Sequence, residues 1–241
     1  MNLFYQIYLI CIALPVFLIA TIITSLITIA GSVFDAQYWG YHPAKLWSKL
    51  TCYLLLTPIE IKGKEFLDRK SSYVFVPNHQ GAFDIFLVYG FIGRPFKWMM
   101  KQSLRKLPFV GKACESAGHI YINNASPHSL KRSMEQAEKT LQNGVSLVVF
   151  PESSRSEDGH MKRFKRGAFQ LADEFQLPVV PVIIEGSYEV LPKNRAFIKR
   201  FPLTLRFLEP IPPYGKGPDN VQATMKKARE VMEEALPERY K

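Results

Sequence analysis

No charged side chain occurs between Met1 and Asp35, and that run limits the fold more than anything else in the chain. The stretch from Leu3 to Ala30 is longer than the roughly 20 apolar residues that cross a bilayer. A cleaved signal peptide is the competing reading, but a basic leading segment is missing and the apolar stretch is too long for one. The expectation is a retained membrane segment, bent at Pro15, that either crosses fully or enters one leaflet. A second segment, Pro43 to Leu56, carries Leu46, Trp47, Leu50, Tyr53, Leu54 and Leu55. Tyr38, Trp39, Tyr41 and Trp47 near Lys45 and Lys49 suit a membrane-interface belt, and equally a core helix with aromatic packing. Residues 1–57 are therefore expected to form a membrane-anchoring helix pair and 58–241 a single domain. Lys45 and Lys49 favour a cytoplasmic position for that domain.

A net charge of +10 calls for a polyanionic partner: nucleic acid, an anionic membrane surface, or phosphorylated substrates. Nucleic acid has only the charge in its favour, since RRM-type aromatics, zinc spacing and a KH-type context are all missing. The three cysteines, Cys11, Cys52 and Cys114, are far apart, which suits a reducing compartment and no structural zinc. The histidines show no metal-ligand spacing, so no metal is expected.

From Ile59 onward, short β-rich runs alternate with helical patterns. Strands are expected at Ile59–Ile61, Tyr73–Val76, Lys97–Met99, Ile120–Ile122, Ser146–Phe150, Val179–Ile184 and Thr204–Phe207. Helices are expected at Phe83–Phe91, Pro108–Ser116, Pro127–Gln142, Gly167–Phe175 and Pro218–Leu236, with Ser126 capping the third. Such alternation predicts an α/β fold: a mixed, largely parallel sheet flanked by helices.

The chemistry concentrates in a few places. His79 and Asp84, in Asn78-His-Gln-Gly-Ala-Phe-Asp84, fall on a strand-to-helix turn that can fold the carboxylate back against the imidazole. A carboxylate there fixes the tautomer and stabilises the cation formed when the ring takes a proton. The motif contains no Ser or Cys, so the nucleophile is expected to be a substrate hydroxyl. In Leu147-Val-Val-Phe-Pro-Glu-Ser-Ser-Arg155 a buried strand ends before Glu152. That loop is expected to share a crevice with His79, because α/β sites gather outside the carboxyl ends of strands. Arg155 suits a phosphate, and Glu152 either holds Arg155 or accepts a hydrogen bond from an acceptor substrate. Met161-Lys-Arg-Phe-Lys-Arg-Gly-Ala168 places four cations before a helix, an anion-binding edge at which Gly167 lets the backbone approach.

Asn78-His79…Asp84, Phe150-Pro-Glu-Ser-Ser-Arg155, Phe164-Lys-Arg-Gly167 and Val180-Pro-Val182, in this order and spacing, resemble the glycerolipid acyltransferase family, of which the 1-acyl-sn-glycerol-3-phosphate acyltransferases are the best-known members. The resemblance runs from about Ile59 to Pro210. It implies His79 as general base, Asp84 as its orienter, and acceptor binding by Glu152 and Arg155. The substrate-binding set expected from it is Asn78, Lys101, Glu152, Ser153, Ser154, Arg155, Lys165 and Gly167. Usual members read Gly-Thr at Ser153-Ser154, so a turn needing positive φ would be strained here. In Gly118-His-Ile-Tyr-Ile-Asn-Asn124 the usual Arg is replaced by Asn124, which leaves phosphate binding to Lys101, Lys131, Arg155 or Lys165.

The implied reaction is acyl transfer from acyl-CoA or acyl carrier protein to the free hydroxyl of 1-acyl-glycerol-3-phosphate, giving phosphatidic acid without metal or redox cofactor. A backbone N–H after His79 is the expected oxyanion donor. The alternatives are the same transfer to another lysolipid, such as a lyso-amino-lipid, and a non-catalytic lipid-binding protein. A hydrolase would need a nucleophile motif that the chain lacks.

Overall fold

The computed structural model describes residues 3–68, 70–122, 127–142 and 145–241, with the side chains of 127–132 and 141–142 outside the description. The departure at Asn123-Asn124, the Ser126 cap and the Lys131 side chain therefore lie outside the described residues.

The uncharged run folds as one helical rod, Leu3–Gly31, made of α1 (Leu3–Tyr8), a π-helical turn at Leu9–Ala13, and α2 (Leu14–Gly31). Pro15 lacks an N–H, and its ring crowds the carbonyl four residues back. The wider π turn just ahead of it absorbs that clash, so the rod bends without breaking. Most of its surface is bare: Phe4 is 81% and Ile19 59% accessible. A continuous apolar face of this kind marks a membrane-associated element. Tyr5 and Gln6 reach inward, donating to the carbonyls of Leu55 (2.8 Å) and Ile198 (2.9 Å). Further along, the indole N–H of Trp47 donates to the Thr21 hydroxyl (2.9 Å).

The second helix, α3 (Tyr38–Tyr53), starts earlier than the composition suggested. Its first donors have a partner: one Asp35 carboxylate oxygen accepts the N–H of Gln37 (2.8 Å) and of Tyr38 (2.9 Å). Part of it packs as a core helix. Tyr41 and Cys52, with Leu55 just beyond the helix, join the core, while Leu46, Leu50 and Tyr53 stay exposed.

The rest is a seven-stranded sheet. Its strands are β1 (Ile59–Lys62), β2 (Val74–Pro77), β3 (Phe96–Lys101), β4 (Ile120–Ile122), β5 (Ser146–Val148), β6 (Val179–Glu185) and β7 (Leu203–Phe207). They lie in the order β1-β7-β6-β2-β5-β3-β4, all pairs parallel except β6 with β7. Alternation along β2 separates two packed layers, as the pleat requires. Phe75 faces a core with α3 and α4 (Asp84–Phe91), whereas Val74 and Val76 face α6 (Pro127–Gln142), α7 (Gly167–Glu174) and α9 (Pro218–Ala235). Between them come α5 (Val110–Ser116) and α8 (Ser187–Val190). The expected α/β class is borne out, with two differences. β5 ends at Val148, and α8 has no counterpart among the expected helices because four residues are too short to show a period.

Candidate active site

β2 and β5 are adjacent and parallel, so their carboxyl ends leave the sheet side by side and bring His79 and Glu152 to one edge. Asn78 continues β2 by mimicry. Its amide donates to the Ile184 carbonyl (3.0 Å), and its amide oxygen accepts the Ile184 N–H (2.7 Å). It is wholly buried, with its amide nitrogen and oxygen both occupied. It was expected at the substrate; instead it clamps the turn to β6.

Beyond it the chain wraps around one carboxylate. Asp84 opens α4 and is fully buried, and its Oδ2 lies 2.7 Å from His79 Nδ1. The same oxygen accepts the N–H of Gln80 (2.7 Å) and of Gly81 (2.9 Å). Gly81 is obligatory, since a Cβ there would lie 2.2 Å from the Ser187 carbonyl oxygen. With Nδ1 facing a carboxylate, the neutral ring carries its proton on Nδ1 and presents the Nε2 lone pair outward. Among the described residues Nε2 has no hydrogen-bond partner, and 14% of the side chain reaches the surface. Phe150 stacks under the imidazole (centroids 3.9 Å apart, 14° between planes) and Trp98 stacks under Phe150 (5.3 Å, 17°).

Glu152 acts on the backbone rather than on Arg155. One oxygen accepts the His79 N–H and the other the Lys162 N–H, both at 2.8 Å. Burial pushes this carboxyl up to about 7, against the pull of the two donors. The Ser156 N–H meets the His79 carbonyl at 2.7 Å, so the His79 peptide is held from both ends. The N–H groups of His79, Gln80 and Gly81 are thereby all engaged, and the expected oxyanion donor after His79 is not free.

The remaining expected residues divide. Ser153 sits at φ 64°, in the left-handed region that favours glycine. The Ser154 hydroxyl accepts from Lys162 Nζ (3.1 Å), which also donates to the Arg155 carbonyl (3.3 Å). Arg155 is half-buried, and its guanidinium has no partner among the described residues. Lys101 is exposed at the end of β3, and the Lys165 N–H donates to the Pro151 carbonyl (2.9 Å). Gly167 opens α7 with space around it: an added Cβ would meet no atom within 4 Å. Sequence reasoning missed Phe150 as the ring's support, together with Lys162 and Ser156. The aromatic just ahead of Pro151-Glu152 was the available signal for the first.

Residues 58–185 match the family model described as Acyltransferase, just over half of the chain. The chain belongs to the acyltransferase family. Its members similar to this chain include the 1-acyl-sn-glycerol-3-phosphate acyltransferase alpha of Homo sapiens, 30% identical over 181 residues, 75% of this chain and 64% of that protein. Another is the chloroplastic LPAT1 of Arabidopsis thaliana, a 1-acyl-sn-glycerol-3-phosphate acyltransferase, 32% identical over 163 residues, 66% of this chain and 45% of that one. The chain spans about half the length of several of the curated relatives it matches. It also resembles the crystal structure of the 1-acyl-sn-glycerophosphate acyltransferase PlsC from Thermotoga maritima. There the TM-score is 0.79 at 26% identity, covering 97% of this chain and 94% of that one. The acyltransferase resemblance read from the motifs is borne out, and the N-terminal rod falls within the shared architecture.

Proposed function

We propose that this acyltransferase-family chain moves a fatty acyl group from acyl-CoA or acyl carrier protein to the free hydroxyl of 1-acyl-glycerol-3-phosphate, giving phosphatidic acid. The observation that carries the reading is the His79–Asp84 pair with Nε2 turned outward. His79 Nε2 takes the hydroxyl proton as the oxygen attacks the thioester carbonyl; the C–S bond then breaks, and the imidazolium returns its proton to the thiolate. Asp84 holds the ring and offsets its charge. The aromatic stack of Phe150 and Trp98 fixes the imidazole plane without competing for protons. Neither step calls for a metal or redox group. Lys101, Ser154, Arg155 and Lys165 remain the side chains for the acceptor phosphate or the donor, while Asn78 and Glu152 act through the backbone of the turn.

Residues 3–31 supply the route for the lipid, lying in one leaflet with the domain on the cytoplasmic side. The rod is about 44 Å long at the standard helical rise, and hydrogen bonds tie Gln6 to the domain and Thr21 to α3. Docking at two separated points suits a helix lying along the bilayer surface, where an anionic leaflet meets the +10 charge.

A second acceptor, another lysolipid, is favoured by the sequence itself, where Asn123-Asn124 stand in place of the family's charged residue. The test is an acyl-transfer assay on detergent-solubilised protein, offering both thioester donors against lysophosphatidic acid and a panel of other lysolipids. Preferential conversion of lysophosphatidic acid is expected. Preference for a different lysolipid would move the acceptor, and transfer to none would remove the enzymatic reading.

A further inference from the structure

One surface pocket is built without His79 in its lining. It has a volume of about 890 Å³ and lies between the loop before α7 and one face of α9. Arg163, Lys165 and Arg166 come from the loop, and Lys226 and Arg229 from the helix. The half-buried Met225 supplies apolar surface, while Phe164 is buried beneath the Arg229 guanidinium. The five cations are not equivalent. Arg229 is spent internally, donating to the Lys162 carbonyl (2.9 Å), pairing with Glu233 (2.7 Å) and lying over the Phe164 ring. Lys226 is loosely paired with Glu230 at 3.7 Å. Arg163, Lys165 and Arg166 are exposed and have no acidic partner among the described residues.

The groove is linked to the active site through its backbone, the Lys165 N–H donating to the Pro151 carbonyl beside Glu152. It begins one residue after Lys162, whose N–H shares the Glu152 carboxylate with the N–H of His79. It also lies on the α7/α9 side of the sheet, the opposite face from α3 and α4, against which the apolar rod is docked. A lysolipid phosphate stands only a glycerol unit from the hydroxyl that reacts. It must therefore bind close to His79, on a molecule that arrives from the bilayer. The phosphates of a coenzyme A thioester are separated from the reacting carbonyl by the long pantetheine arm and arrive from water. A concave site of this size suits a nucleotide rather than a protein surface.

We infer that the cationic groove between residues 163–166 and α9 binds the 3′-phosphorylated adenosine diphosphate end of an acyl-CoA donor. Arg163, Lys165 and Arg166 would face its phosphates, and Met225 its adenine. The inference rests on the acyl-transfer reading for its purpose, but its binding step is measured apart from transfer.

The test is calorimetric titration of free CoA and of dephospho-CoA into wild-type protein, the His79→Ala protein and an Arg163→Glu/Arg166→Glu double variant. Wild type and His79→Ala should bind CoA equally and more tightly than dephospho-CoA. The charge reversals should weaken CoA by ~10-fold or more and erase that preference, as expected for two lost charge-assisted contacts. In transfer assays the double variant should lose the preference for acyl-CoA over an acyl-pantetheine thioester while its KM for lysolipid holds. Lys226→Gln provides a milder change that keeps the fold if the reversal perturbs it, with a smaller shift in the same direction. A rise in lysolipid KM with CoA affinity unchanged would overturn the inference. So would the absence of CoA binding to wild type, or a loss confined to acyl carrier protein as donor. CoA binding that is lost on charge reversal, without transfer to any lysolipid, would uphold the groove and remove the proposed reaction instead.

Discussion

The turn at 78–82 and the loop at 162–166 hang on the same carboxylate, Glu152, yet they treat their polar groups in opposite ways. On the turn every backbone N–H has an internal acceptor: Val182 for Asn78, Glu152 for His79, Asp84 for Gln80 and Gly81, and Leu191 for Ala82. On the loop the backbone is anchored at Lys162 and Lys165, while three cationic side chains are left to solvent. A saturated turn holds one geometry, which is what a proton-transferring imidazole needs. An unsaturated loop holds charge without partners, which is what recognition of an anion needs. Changes on the turn should therefore act on turnover and folding, and changes on the loop on affinity.

The largest effect expected is that of His79→Ala. It should lower kcat by about 10²–10⁴-fold with membrane association nearly unchanged, while loss of the bond to buried Asp84 and of the stack on Phe150 lowers the melting temperature far less than it lowers turnover. Residual turnover near wild type would dissolve the contrast at its source. Next comes Asn78→Ala, which leaves the Ile184 N–H and carbonyl buried and unpaired. A loss on the order of 2–4 kcal/mol is expected from two such groups, measured by denaturant or thermal unfolding in detergent. An unfolding midpoint like that of wild type would mean that the clamp to β6 is dispensable.

Glu152 sharpens the comparison through pH. Its carboxyl is raised from an ordinary 4.5 to about 7, so the folded protein keeps a proton that the unfolded chain releases. The stability from this group is full below pH 4.5 and is lost as pH rises through about 7. Relative to Glu152→Gln, wild type should therefore lose stability between pH 5 and pH 8, by at most about 3 kcal/mol. Equal pH profiles would show the carboxylate ionised throughout, held by its two N–H donors. The smallest change is Ser153→Gly. Relief of the left-handed strain, partly offset by glycine's entropy, should raise stability by about 0.5–1 kcal/mol, a shift of ~1–4 °C in Tm. No gain would mean that the Ser153 side chain contributes as much as its backbone costs.

The sequence made some of this site legible and hid the rest. His79 and Asp84 were readable together because a turn of a few residues brings them into contact whatever the rest of the chain does. The strain at Ser153 was readable from the glycine that usually stands there. Asn78 and Glu152 were recognised as belonging to the site but given the wrong partners, since a side-chain amide or carboxylate in a motif does not say whether it faces substrate or backbone. The aromatic stack beneath His79 joins Trp98 from β3 to Phe150 beyond β5, a pairing that no local pattern announces.

What the sequence determined by itself is local: an uncharged apolar rod, alternating strands and helices, a histidine with its carboxylate, and a basic run ahead of a helix. Periodicity, caps and short-range spacing suffice for these, because each involves groups only a few residues apart. Only the tertiary structure decided that β2 lies between β5 and β6, and so which donors the buried oxygens of Asn78 and Glu152 would meet. It also placed the basic run against α9, some 60 residues further on, making a groove out of what the sequence showed only as a charged loop. The physical reason is the same in both cases. A buried polar group must be satisfied by whatever the fold brings beside it, and a cavity needs two walls.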